Sequence, residues 1–177
     1  MINIILCLSL SCKVYNRRYI SDAIKRLDTK RNLPFALMSI DVNGLKLTND
    51  AFGHETGDHL LKEVAELLED VCRDDDIVGR MGGDEFIILL PQTTEEHANH
   101  IKERISKVTE NKNLGSVILS LAIGYAVKET MDESIDEVLK VADNNMYKDK
   151  LKNGKMKNYP RLQEMRFVKV IISQKDF

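Results

Sequence analysis

Between Tyr15 and Lys30 the apolar residues Tyr19, Ile20, Ala23, Ile24 and Leu27 return every third or fourth position, which is one face of an α-helix. Pro34 interrupts that period. Phe35-Ala-Leu-Met-Ser-Ile40 then forms a short, mostly apolar run ending at Asp41, the pattern of a buried strand. Helical spacing resumes from Asp58 to Cys72, with Leu60, Leu61, Val64, Leu67, Leu68 and Val71 on one stripe. Two further apolar runs, Ile77-Val78 and Phe86 to Leu90, flank Gly82-Gly83-Asp84-Glu85. A Gly-Gly pair between short apolar runs predicts a hairpin, because tight hairpin turns need positive φ. Thr93-x-x-Glu96 and Ser134-x-x-Glu137 match the capping box and predict two more helix starts. Between them, Val117 to Val127 is the third strand candidate. This order predicts an α/β fold, a mixed central sheet wrapped by helices.

The two ends stand apart from this pattern. Residues 1–12 open on an apolar stretch, Met1 to Leu10, about half the roughly 20 residues of a membrane span and without a basic flank. It reads as a packed leader or the remnant of a linker. Residues 158–177 hold Phe167-Val-Lys-Val-Ile-Ile172, an extra edge strand or an ordered tail. The compact domain is expected over 13–157.

Composition narrows the function classes. The 177 residues carry 26 basic and 28 acidic side chains, a formal net charge of −2, so no general polyanion surface is implied and a nucleotide would need a local site. With no Trp and 6% aromatics, a stacking platform for single-stranded nucleic acid is not expected. Cys7, Cys12 and Cys72 are odd in number and form no CxxC, which points to a reducing cytoplasm rather than a disulfide framework.

Two acidic positions carry the candidate chemistry. Asp41 ends the first strand and Asp84-Glu85 occupy the hairpin tip; in one sheet these acids would converge on one rim. Clustered carboxylates repel unless protonated or neutralised. Mg²⁺, held by one or two carboxylates plus substrate phosphates, is the natural partner. A solvated strand end beside a polar turn would carry the same residues. The segment Asp41 to Asp58 is rich in polar and Gly positions but is not an EF-hand, because Lys46 and Phe52 stand where Gly and Glu are required. Walker A and GxGxxG loops are also absent from the sequence. His97 and His100 share a helix face without a third ligand and are read as surface residues.

Arg80-Met-Gly-Gly-Asp-Glu-Phe86 with the Asp41 to Asp58 segment, Asn16-Arg-Arg18 before them and Ala142-Asp-Asn-Asn-Met-Tyr-Lys-Asp-Lys150 after them resemble, in order, the landmarks of the GGDEF family of diguanylate cyclases. The resemblance implies a fold similar to nucleotidyl cyclases and the polymerase palm. It implies two Mg²⁺ (or Mn²⁺) ions per active site, held by Asp41, Asp84 and the Val42 carbonyl. Asp84, or Glu85 beside it, would help deprotonate the attacking ribose hydroxyl. Lys46 and Lys150 would neutralise phosphate charge. Gly82 and Gly83 would let the backbone approach the phosphates, Asn49 and Asp58 would read guanine, and His54 would lie near substrate or act as a packing histidine. Arg73-Asp-Asp-Asp76 resembles the family's RxxD motif, which binds the product, cyclic di-GMP, as an allosteric brake.

The implied reaction condenses two GTP into cyclic di-GMP plus pyrophosphate across a homodimer, since each domain would hold one GTP. The main rival is a binding module that senses GTP or cyclic di-GMP. The family's Asp-x-Leu-Thr element before Asn16 is replaced by Ser9, Ser11 and Cys12, and no upstream sensory domain is expected in this chain. Asn43 and Leu45 also depart from the commoner Asp and Phe, and the basic residue expected four after Lys150 has moved to Lys155.

Overall fold

The computed structural model describes residues 14–114 and 117–152. The expected leader and tail, including Phe167 to Ile172, and Lys155 lie outside the described residues.

A five-stranded sheet forms the centre. In chain order the strands are β1 (Tyr15–Asn16), β2 (Phe35–Val42), β3 (Ile77–Gly82), β4 (Glu85–Leu90) and, after a small ribbon, β7 (Leu121–Lys128). Their spatial order is β1-β3-β4-β2-β7; β1 runs parallel to β3 and all other neighbours are antiparallel. The ribbon pairs β5 (Asn113–Leu114) with β6 (Val117–Ile118). The helices are α1 (Arg17–Leu27), α2 (Leu45–Phe52), α3 (His54–Val71), α4 (Glu95–Asn111) and α5 (Ile135–Lys152). The mixed sheet wrapped by helices is therefore the observed architecture.

All eight residues of β2 are buried, because helices cover both faces of the sheet. Alternation along the strand divides the core in two. Ala36, Met38, Ile40 and Val42 join Phe86 and Ile88 against α3 and α4, whereas Phe35 and Leu37 join Ile87 and Leu89 against α1 and α5. Asp41 has the parity of the second face, so its carboxylate points to the side of α1 and α5.

Helix α5 is fastened closely to β7. A Cβ on Gly124 would lie 1.9 Å from the Met146 backbone nitrogen, so only glycine permits this approach. The outer edge of β7 meets α5 through side chains: Asn145 Nδ2 donates to the Tyr125 carbonyl at 3.0 Å, and the Ile123 N–H donates to Asp149 Oδ2 at 3.0 Å. Lys102 of α4 pairs with Asp149 at 3.4 Å.

Several boundaries differ from the sequence pattern. Tyr15 and Asn16 form a strand rather than a helix start, because Asn16 is the cap of α1: its Oδ1 accepts from the Tyr19 N–H. The 93–96 capping box is displaced by one residue. Thr94 is the cap, accepting from the His97 N–H, while the Thr93 N–H is engaged by the Pro34 carbonyl. The helix expected from Asp58 begins at His54, and α2 precedes it. The long third strand is two pieces, β6 and β7, the latter beginning at Leu121.

Candidate active site

The rim is built by the end of β2 and the β3–β4 hairpin. Asp41 and Glu85 are cross-strand partners, and the Val42 N–H donates to the Asp84 carbonyl at 2.9 Å. The acids expected to converge thus do so. Gly82 and Gly83 have φ of 138° and 57°, values that permit the turn and disfavour other residues. The ladder shifts register between Arg80 and Gly82. Arg80 closes the turn, donating from Nη2 to the Gly83 carbonyl at 2.7 Å, and Arg17 of α1 donates from Nε to the Met81 carbonyl at 2.6 Å.

The electrostatics of the rim are those of crowded carboxylates. Burial raises Asp41 to about 6; Asp84 adds to the rise, and Lys150 opposes it. Burial, then the charges of Asp84, Asp41 and Asp143, raise Glu85 to about 7 against a lowering by Arg17. Lys150, near the end of α5, donates from Nζ to Asp41 Oδ1 at 2.6 Å, with both residues buried. One step further in, Ser39 Oγ donates to Asp143 Oδ1 of α5, whereas Asp143 Oδ2 is buried with no hydrogen-bond partner among the described residues. Burial raises Asp143 to about 6, opposed by the Ser39 hydrogen bond.

This donor set fits a hard divalent cation. It offers carboxylate and carbonyl oxygens, and its carboxylates destabilise one another's ionised form, a repulsion a divalent ion would relieve. Among the described residues no group of three His, Cys, Asp or Glu side chains is arranged to hold a metal. A cation at Asp41 would therefore complete its shell from substrate phosphates.

The other expected residues fall on α2, α3 and the turn after α3. Gly44, at φ 77°, opens α2 directly after β2, which puts Lys46 in its exposed first turn and Asn49 one turn later. Gly57 packs on Asn49, so Asn49 and the neighbouring, exposed Asp58 share the α2–α3 junction. His54 is exposed at the start of α3. Arg73 and Asp76 lie in the turn beyond α3. The Arg73 N–H donates to Asp76 Oδ2 at 2.8 Å, leaving the Arg73 side chain exposed.

Four contributors escaped the sequence reading: Arg17, Ser39, Asp143 and Arg104. Arg104 of α4 donates to the Val71 carbonyl, and its charge acts on Asp76. Arg17 and Asp143 fall inside landmark segments quoted above, which was the available signal. Ser39 shares the strand face of Asp41, two residues away. For Arg104 the sequence gives no signal.

The profile of the family described as diguanylate cyclase, GGDEF domain, matches residues 11–156. Diguanylate cyclase DosC of Escherichia coli K12 is 36% identical over 143 residues, a match covering 76% of this chain and 31% of that protein. The match thus spans about a third of that relative's length. Among solved structures, the active GGEEF domain of a diguanylate cyclase from Vibrio cholerae superposes with a TM-score of 0.71 at 33% identity, covering 79% of this chain and 92% of the other. The GGDEF domain of DgcB from Caulobacter crescentus, solved with c-di-GMP, gives 0.77 at 22% identity, covering 82% and 91%. At that identity the likeness is one of fold.

Proposed function

The chain belongs to the GGDEF domain family of diguanylate cyclases, and from that premise we propose that it condenses two GTP molecules into one cyclic di-GMP and two pyrophosphates, one GTP being held by each of two facing copies. The observation that carries this reading is the cross-strand pairing of Asp41 with Glu85 at the rim where Asp84 forms the hairpin tip.

Asp41, Asp84 and the Val42 carbonyl would hold two Mg²⁺ or Mn²⁺ ions. When bound, these ions would lower the pKa of the ribose 3′-hydroxyl and neutralise charge on the departing pyrophosphate. The remaining work belongs to the chain. Gly82 and Gly83 leave the turn backbone open to the phosphates. Glu85, raised to about 7, is suited to accept a proton near neutral pH, with Asp84 beside it in the same role. Lys46, exposed in the first turn of α2, and Lys150 supply positive charge to the triphosphate. Asn49 and Asp58 flank one helix junction, where a carboxylate can accept from both N1–H and the 2-amino group of guanine, a donor pair adenine lacks. His54, exposed at the start of α3, lies one turn before Asp58.

Arg73 and Asp76, with Arg104 behind them, occupy a separate turn suited to hold the product. Arg offers a planar fork of donors for phosphate or guanine edges. Occupation of this turn would brake the enzyme.

The test is to incubate the protein with GTP and Mg²⁺ and identify the product by mass. Asp84→Ala should lower cyclic di-GMP formation by orders of magnitude without lowering the thermal midpoint, because the side chain lies on a hairpin tip outside the core and its charge only adds to the repulsion at Asp41 and Glu85. Near-normal synthesis by that variant would overturn the mechanism. Binding of GTP or cyclic di-GMP without turnover by the parent protein would assign it instead as a sensor module.

A further inference from the structure

Lys150 and Asp41 form an ion pair 109 residues apart in sequence, 2.6 Å long, with 6% and 7% of their respective surfaces exposed. A carboxylate so enclosed is costly without a counter-charge. The structure assigns that task to Lys150: it is the resident cation of the metal-free site, and a divalent ion enters at Asp41 only by exchange with it. This inference rests on the proposed metal role of Asp41 and extends it to what holds the site before substrate arrives.

The geometry makes the two cations rivals. Mg²⁺ demands oxygen ligands at about 2.1 Å. With the Lys150 ammonium 2.6 Å from Asp41 Oδ1, an ion on the same oxygen would lie within about 5 Å of it on any approach, in a poorly hydrated place. One must leave. The backbone of α5 is a poor candidate for movement. Asn145 and Asp149 fasten it to β7, Asp143 ties it to Ser39, and Gly124 admits it to backbone contact. The exchange therefore falls to the Lys150 side chain, whose four-carbon stem can swing while the helix stays in place.

A triphosphate supplies the ammonium with a new anionic partner at the moment the metal arrives. Nucleoside triphosphate and divalent cation should therefore bind with positive coupling, each favouring the state in which the Lys150–Asp41 pair is open. Metal alone must break the pair without that compensation, and should bind weakly.

Mn²⁺ binding to the nucleotide-free full chain, measured by isothermal titration at fixed pH, tests this without catalysis. Lys150→Met and Lys150→Gln both remove the competing charge, Gln keeping a donor for Asp41. Each should bind Mn²⁺ at least roughly tenfold more tightly than the parent, the equivalent of losing one charge-assisted hydrogen bond. Asp41→Asn should weaken Mn²⁺ binding in every background. If the two Lys150 variants are folded and bind Mn²⁺ no more tightly than the parent, while Asp41→Asn still weakens it, the exchange is wrong and the metal role of Asp41 stands. If Asp41→Asn leaves Mn²⁺ binding unchanged, the metal role falls and the exchange with it.

Discussion

Gly57 lies flat against Asn49: a Cβ added to Gly57 would come within 1.8 Å of Asn49 Oδ1, an atom buried with no hydrogen-bond partner among the described residues. The glycine thus fixes where the Asn49 amide stands. Gly57→Ala should push that amide aside, raising the KM for GTP roughly tenfold or more, while the overpacking costs about 1–3 kcal/mol of stability. Steady-state kinetics and thermal unfolding on the same samples separate the two effects. An unaltered KM would show that Asn49 does not touch the substrate.

In the proposed function the neighbouring Asp58 reads the base. Asp58→Ser replaces two acceptor oxygens with one hydroxyl, and should cut the GTP-over-ATP ratio of kcat/KM by about tenfold to a hundredfold. A ratio equal to the parent's would remove Asp58 from the guanine site.

Stability should depend on pH through the buried carboxyls. Asp41, Glu85 and Asp143 are all raised, to about 6, 7 and 6. The folded state therefore binds their protons more tightly than the unfolded chain does. Their contribution is fully present below about pH 4 and is lost as pH rises through 6 to 7. The metal-free protein should lose thermal stability over that window. Asp143→Asn keeps an acceptor for Ser39 but cannot ionise, so it should flatten the decline. A decline as steep as the parent's would show that the Asp143 carboxyl binds its proton no more tightly in the fold than in the unfolded chain.

Feedback is a question for the progress curve. Arg73→Ala removes an exposed side chain in the turn before β3, at the other end of that strand from the Gly82–Gly83 turn, so initial rates should survive. The parent should slow early as cyclic di-GMP accumulates, and the variant should continue until GTP is depleted. Equal inhibition of both proteins by added cyclic di-GMP would reduce the turn to a charged surface feature.

How much of this was legible depended on which force held each piece. Strand β2 was legible because both its faces are covered, so it reads as an apolar run, and the hairpin because only glycine tolerates its turn. Helix α2 was not. It has a single buried residue, Thr48, and no side-chain cap; Gly44 and Gly53 alone mark its ends. Convergence of Asp41 with Asp84 and Glu85 followed from acids placed at a strand end and a hairpin tip. The Lys150–Asp41 pair did not, since nothing local to either residue records a partner 109 positions away. Asp143 was hidden for a different reason: beside Asn144 and Asn145 it looks solvated, whereas α5 approaches the sheet closely at Gly124 and Asp143 is buried.

The fastening of α5 onto β7 bears on how copies of this chain can come together. An open sheet edge is a template for another strand, the usual route to fibrils and to swapped assemblies. On β7 the Ile123 N–H and the Tyr125 carbonyl are already taken by Asp149 and Asn145. A visiting strand would have to evict these two side chains to run a ladder along the middle of β7. Growth of the sheet in that direction is disfavoured at the middle of β7, where side chains of α5 already hold the backbone.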